Sequence, residues 1–270
     1  HLNNTPRQIH MIEALGYARP VYAHMPMILG ADGARLSKRH GAVNVMGYKD
    51  EGYLPDALIN YLVRLGWSHG DDEIFTREQM IAYFDIVDVN PAASKFNGEK
   101  LDWVNQQYII AGTGAEHGAE LAAQLELLGV DINNGPVPAD VYEVFKERAV
   151  TLNAMAASML WLYQDFDSFD EKAAKKNLRP VIKEPLIALH QTLAGLTEWT
   201  AENIHNAIQA VADQFALKFG KLGQPVRVIV TGAGVSPPID TTVELVGKER
   251  TLQRFDLALE YIAAREAAAG

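Results

Sequence analysis

From about residue 111 onward the chain repeats apolar residues at helical spacing, and this period limits the fold more than any other feature. After Thr200, an N-cap residue type, Ile204, Ile208, Val211, Phe215 and Phe219 recur at steps of three or four until Gly220. Such steps place side chains on one face of an α-helix. Leu186, Leu189, Leu193 and Leu196 form a second stripe within Pro185–Leu196, and Leu252, Phe255, Leu259 and Ile262 a third. Val141–Phe166 reads as one long amphipathic stretch, and Gly129–Asp140 (GVDINNGPVPAD) as a loop. Residues 111–270 are therefore predicted to be all-α. One segment dissents. Val226–Val230 (VRVIV) has strong β propensity and in isolation reads as a strand.

Residues 51–110 read as short helices. In PDALINYLVRLGW, Pro55 suits the first helical turn and Gly66 the exit, with Leu54, Leu58, Tyr61, Leu62 and Leu65 on one face. Thr76 and Gln79 have the spacing of a capping box that opens REQMIAYF. Residues 1–50 differ. A helix from Asn4 or Thr5 to a stop at Gly16 precedes the apolar run Met25–Leu29 and the loop GADGARLSKRHG. Helix, short buried strand and glycine loop is the grammar of the edge of an α/β domain.

The loop holds small residues and the cations Arg35, Lys38 and Arg39. A lysine on such a loop can reach triphosphate oxygens, and backbone amides near Ser37 can add donors. In adenylate formation charge builds on the bridging and leaving oxygens, so cations there hold the transition state more tightly than the ground state. A solvated turn with basic decoration would look the same, and the loop has no Walker spacing.

Charge bears on this choice. The net charge of the 270 residues is −10, which disfavours nonspecific adhesion to polyanions but permits a local cationic patch. Two basic runs could supply one: Lys172, Lys175, Lys176, Arg179 and Lys183, then Lys218, Lys221 and Arg227. Each is a candidate for phosphate contact or a solvated helix face. Trp161, Tyr163, Phe166 and Phe169 lie near the first run and could stack on bases or fill a core. His69, Asp71, Asp72 and Glu73 form a polar cluster with no second ligand set at metal-binding spacing, so no protein-bound metal is expected. The chain has no cysteine, which fits the cytosol. No apolar run reaches the length of a membrane span.

RLSKRHG resembles the KMSKS signature of class I aminoacyl-tRNA synthetases, in the variant found in bacterial glutamyl-tRNA synthetases. HLNNTPRQ at 1–8, DALINYLVRLGWSHGDDEIF at 56–75, FNGEKLDWVNQQYI at 96–109, QPVRVIVTG at 224–232 and LVGKERTLQRFDLAL at 245–259 are similar to further segments of that family, in order. The resemblance implies a mainly α fold in three parts. Residues 1–45 would end a Rossmann-like α/β catalytic domain, 46–112 would be a small helical stem-contact connector, and 113–270 an α-helical anticodon-binding region, divided near 190. It makes QPVRVIVTG helical, against its β propensity.

The same resemblance implies activation of glutamate with ATP and Mg²⁺ and its transfer to tRNA(Glu), by a cytoplasmic monomer. Arg35, Leu36, Ser37, Lys38 and Arg39 would be the signature, with Lys38 the ATP-binding lysine and Arg35 where lysine is common. No HIGH-like sequence occurs among these residues. The expectation is thus the C-terminal portion of a synthetase, with no complete catalytic set and no activity alone. The competing reading is a helical interaction module without RNA binding; it leaves the retained LSKRHG loop unexplained.

Overall fold

The computed structural model describes residues 1–37 and 44–269. Its Cα framework divides into two compact units, 1–108 and 109–270.

The first unit opens with α1 (Thr5–Ala14), which follows Asn4 at the N-cap, a residue whose side chain makes no capping bond. Gly16 ends it with φ +76°, a backbone state that L-residues with a Cβ avoid. Strand β1 (Ile28–Leu29) then pairs in parallel with β2 (Ser94–Lys95). Between them lie α2 (Val45–Asp50), α3 (Pro55–Arg64) and α4 (Arg77–Tyr83). Pro55 occupies the first turn of α3, and Thr76 and Gln79 form the reciprocal capping box at the start of α4. Leu54, Leu58 and Tyr61 are buried as the stripe requires, but Leu62 is exposed. The buried face of α3 is instead widened by Ala57 and Asn60. Trp67, Phe75 and Met80 close a small cluster with Val63.

Helix α5 (Gly98–Ala111) leads to the second unit. There follow α6 (Gly114–Leu127), α7 (Pro138–Phe145), α8 (Leu152–Ser158) and α9 (Glu171–Asn177). The chain continues through α10 (Lys183–Ala194), α11 (Ala201–Gln214), α12 (Phe219–Thr231), α13 (Ile239–Val246) and α14 (Lys248–Ala269). Among the described residues of this unit there is no strand. The region is all-α.

Two local expectations change, and a third, disputed one holds. Val141–Phe166 is not one helix: 3₁₀ turns at Lys146–Arg148 and Leu160–Leu162 interrupt it, and Thr151 caps α8 by accepting from the Ala154 amide at 3.1 Å. The stripe after Thr200 also spans two helices. Phe215 ends α11, Ala216 turns the chain at φ +53°, and Phe219 starts α12. Val226–Val230 lies within α12 and is helical, as the resemblance implies and against its β propensity. Val226, Val228, Ile229 and Val230 are all fully buried, and α12 packs against α9, α11, α13 and α14. A helix covered on nearly every side can carry β-branched residues, because burial outweighs a propensity difference of under about 1 kcal/mol per residue.

Candidate nucleic-acid interface

The glycine loop begins as a tight turn. The Gly30 amide donates to the Ala34 carbonyl at 2.7 Å, and the Asp32 carboxylate accepts from the Ala34 amide at 2.9 Å. Gly33 adopts φ +77°. The Leu36 amide then donates to the Ile28 carbonyl at 3.1 Å, so Arg35 returns antiparallel to Leu29 at the end of β1. Arg35, Leu36 and Ser37 leave this turn in sequence; Lys38 and Arg39 lie outside the described residues.

The acidic loop of the first unit holds no cluster of metal-ligating side chains among the described residues. Glu73 lies between Arg64 at 3.2 Å and Lys100 at 3.3 Å. The Arg64 hydrogen bond holds its carboxyl below the usual carboxylate range. His69 stacks on Tyr83 with ring centroids 4.3 Å apart.

In the second unit the two basic runs, separate in sequence, meet. Lys172, Lys175 and Lys176 are exposed on α9, over a buried Ala174. Arg179 follows the helix exit and is exposed, and Lys218 and Lys221 are exposed at the start of α12. Lys176, Arg179, Lys218 and Lys221 line one open cleft of about 900 Å³. Its remaining walls include Val181, Ile182, Leu217 and Pro225, and no carboxylate lines it. Lys172 and Lys175 are not part of this lining. Lys183 is drawn away by an ion pair with Glu266 at 2.5 Å.

Arg227 stands elsewhere, half-buried. Its guanidinium donates to the Ser236 hydroxyl at 2.9 Å and to Gln224 at 2.7 Å. Arg148 donates to the Ser236 carbonyl at 2.8 Å. Burial, then the nearby charge of Arg148, pushes the Arg227 pKa down. Two guanidiniums thus share one loop. Beside them is a pocket of about 240 Å³ with Phe145, Arg148, Trp161 and Pro237 among its walls and no carboxylate in its lining. Among the described residues neither guanidinium forms an ion pair with a carboxylate, and an apolar pocket with an indole wall suits a planar ring.

The aromatics near the first run divide. Tyr163 is buried with its hydroxyl donating to the Pro136 carbonyl at 3.0 Å. Phe166 and Phe169 pack edge to face, and Trp161 borders a pocket.

Sequence reasoning passed over two arginines. Arg148 lies in Lys146-Glu147-Arg148, where the acid between the two cations hides it as a basic site. Arg254 is 4% exposed and fixes the site from below, donating to the carbonyls of Trp161 at 2.8 Å, Gln164 at 3.1 Å and Val230. Burial, and secondarily Arg250, lowers its pKa to about 10.

The model of the class I tRNA synthetase (E and Q) catalytic domain matches residues 1–103, and that of the anticodon binding domain matches residues 119–259. The chain belongs to the glutamate and glutamine branch of the class I aminoacyl-tRNA synthetases. Among similar solved structures is a glutamate tRNA ligase from Elizabethkingia meningosepticum in complex with its amino acid, with 30% identity and a TM-score of 0.79. The match covers 97% of this chain and 55% of that one. A glutamate-tRNA synthetase from Elizabethkingia anophelis matches with 30% identity and a TM-score of 0.76, over 96% of this chain and 55% of that one. The chain therefore spans about half the length of these relatives. Its mainly helical fold is that of the end of a synthetase catalytic domain followed by an all-α anticodon-binding region. No helix among the described residues is long and apolar enough to cross a membrane.

Proposed function

We propose that this chain supplies the ATP loop and the tRNA-reading region of a glutamate–tRNA ligase, which activates glutamate with ATP and joins it to tRNA(Glu). The observation that carries the tRNA reading is the Arg148–Arg227 pair, which converges on Ser236 beside the Trp161 pocket inside the segment matched as anticodon binding. A base splayed from a loop can enter an apolar pocket and present its edge to guanidinium donors.

Residues 1–45 act as the end of the nucleotide-binding fold, 46–112 as the stem-contact connector and 113–270 as the anticodon region. In the loop, Lys38 contacts the ATP phosphates, with Arg35 and Arg39 adding to the field. The turn at Gly30–Ala34 fits this role, since it is closed by bonds within its own few residues. Mg²⁺ arrives with ATP and shields its phosphate charge. No HIGH-like sequence is present, so the chain by itself binds tRNA without forming glutamyl-adenylate. It works as a monomer in the cytoplasm.

The test is anisotropy of labelled tRNA(Glu) with this 270-residue chain at two salt concentrations, beside a tRNA with an altered anticodon. We expect a preference for the intact anticodon of about 5-fold or more, as one lost bidentate contact costs about 1–3 kcal/mol. The preference should persist at the higher salt. Equal binding to both tRNAs, lost as salt rises, would overturn the reading.

A further inference from the structure

The cleft between α9 and the start of α12 has no part in the base-reading pocket, yet it is the stronger electrostatic feature. Four cations from two sequence runs line it without a carboxylate. Among the described residues none of the four forms an ion pair, whereas nearby Lys183 is neutralised by Glu266 and Arg227 is engaged with Ser236 and Gln224. On a chain of net charge −10, four cations kept together and unpaired repel one another and gain nothing for the fold. Their arrangement makes sense for a polyanion.

We propose that this cleft is a backbone groove for RNA, which holds at least two successive phosphates and reads no sequence. This deepens the tRNA-binding reading above and rests on it for the identity of the natural RNA. Three features set the occupant. The volume of about 900 Å³ is near the top of the range of about 300–1,000 Å³ typical of small-ligand sites, so there is room for more than a single phosphate. The floor is apolar, with Val181, Ile182, Leu217 and Pro225 available to a ribose or base face. Gly220 forms part of the wall and has open space where a Cβ would stand, so a phosphate can approach the backbone there. Lysines act here as point charges rather than base readers.

The experiment compares the full chain with the double variant Lys218→Ala/Lys221→Ala. The control is Lys172→Ala/Lys175→Ala, which removes the same charge from α9 without touching the cleft lining. All four side chains are exposed, and far-UV circular dichroism checks that each variant is folded. Binding is measured over a salt series with tRNA(Glu), its anticodon-altered form and a ten-nucleotide oligouridylate. Each phosphate contact contributes about 0.7 to the slope of log K against log salt for a single strand and about 0.9 for a duplex. The cleft variant should therefore lose about 1.4–1.8 from the slope with all three RNAs. Its anticodon preference should equal that of the parent, and the control should keep most of the parental slope.

A parental slope in the cleft variant would overturn the proposal, as would equal losses in the two variants, which would show a diffuse field. Oligouridylate separates the two readings. If the anticodon preference is absent but oligouridylate binds through Lys218 and Lys221, the base-reading proposal falls and the groove stands. If the preference is present and the slope unmoved, the groove falls alone. Failure of the parent to bind any of the three RNAs overturns both.

Discussion

Helix α1 buries none of its ten residues, while α12 buries eight of thirteen. That contrast runs through the two units. In the first, the cationic loop is shaped by backbone bonds within a few residues, from Gly30 to Leu36. In the second, the lysines stand on helices fixed by side-chain packing beneath them: Ala174 under those of α9, Leu222 and Val226 under those of α12. A phosphate contact can therefore be built in two ways. A locally closed turn is set by its own few residues, whereas packed helices hold unpaired charges apart at fixed positions. If the contrast is real, lesions in each unit should stay within it.

The sharpest way to break the contrast is Arg254→Met. The guanidinium satisfies carbonyls of Trp161, Gln164 and Val230 and lies 4.5 Å from the centroid of the Phe166 ring. Methionine keeps much of the stem's packing and orphans the carbonyls. A loss of about 3–5 kcal/mol is expected, the range for removing a buried charged hydrogen-bonding group. Hydrogen exchange along a urea series should show it in peptides from 109–270 and leave those from 1–108 unchanged. Equal loss of protection in both would show one cooperative body and end the comparison.

The counterpart in the first unit is Asn60→Ala. Asn60 is fully buried; its side chain accepts from the Phe75 amide at 2.7 Å and the Tyr108 hydroxyl at 3.1 Å, and donates to the Glu73 carbonyl at 2.8 Å. Truncation takes this partner from the Phe75 amide and the Glu73 carbonyl, while the Tyr108 hydroxyl keeps the Phe75 carbonyl. About 2–3 kcal/mol should be lost, read by the same exchange measurement in peptides from 1–108 alone. A shift confined to 109–270 would contradict the assignment of this network to the first unit.

These two residues also show where the sequence falls silent. Features written in neighbouring residues were legible: the capping box at Thr76, the cap at Thr200, the leucine stripe of α10 and the helical character of 111–270. The break after Phe215 was not, because the apolar spacing runs through it and the turn depends on Ala216 at positive φ. The restart at Thr151 could have been read from its capping side chain. VRVIV misled because a helix buried on all sides loses the polar face that marks its period. For the site, both basic runs were visible as charge. Their meeting in one cleft, the loss of Lys183 to Glu266 and the pairing of Arg227 with Arg148 come from packing between helices distant in sequence. Asn60 and Arg254 have no sequence mark at all, since a polar residue on a helix reads as exposed until the neighbours that cover it are known.

The smallest effect gives the finest comparison, since each unit contains the same motif. Thr76 accepts from the Gln79 amide at 3.2 Å, and its own amide donates to Gln79 Oε1 at 2.8 Å. Thr113 accepts from the Glu116 amide at 3.3 Å, and its amide donates to Glu116 Oε2 at 2.9 Å. Replacing either threonine by alanine should cost about 1 kcal/mol at neutral pH. The distribution should differ. Helix α4 buries only Met80, so its loss should appear as local opening of its own amides. Helix α6 buries Gly114, Gly118, Leu121, Gln124 and Leu125 and packs on α7 and α8, so its loss should spread through the second unit. The pH dependence should differ too. Hydrogen bonds from Thr113 hold the Glu116 carboxyl below its ordinary range, so its contribution is full above the unfolded value of about 4.3 and fades as pH falls toward the folded one. Gln79 has no proton to gain over this range, but its neighbour Glu78 is held below its ordinary range by its own backbone amide and then by Thr76, so both threonine variants are compared in a Glu78→Gln background. Between about pH 7 and about pH 3.5, the Thr113→Ala penalty should shrink while that of Thr76→Ala holds. Parallel pH curves for the two variants would show that the Glu116 carboxylate is not what closes the box on α6.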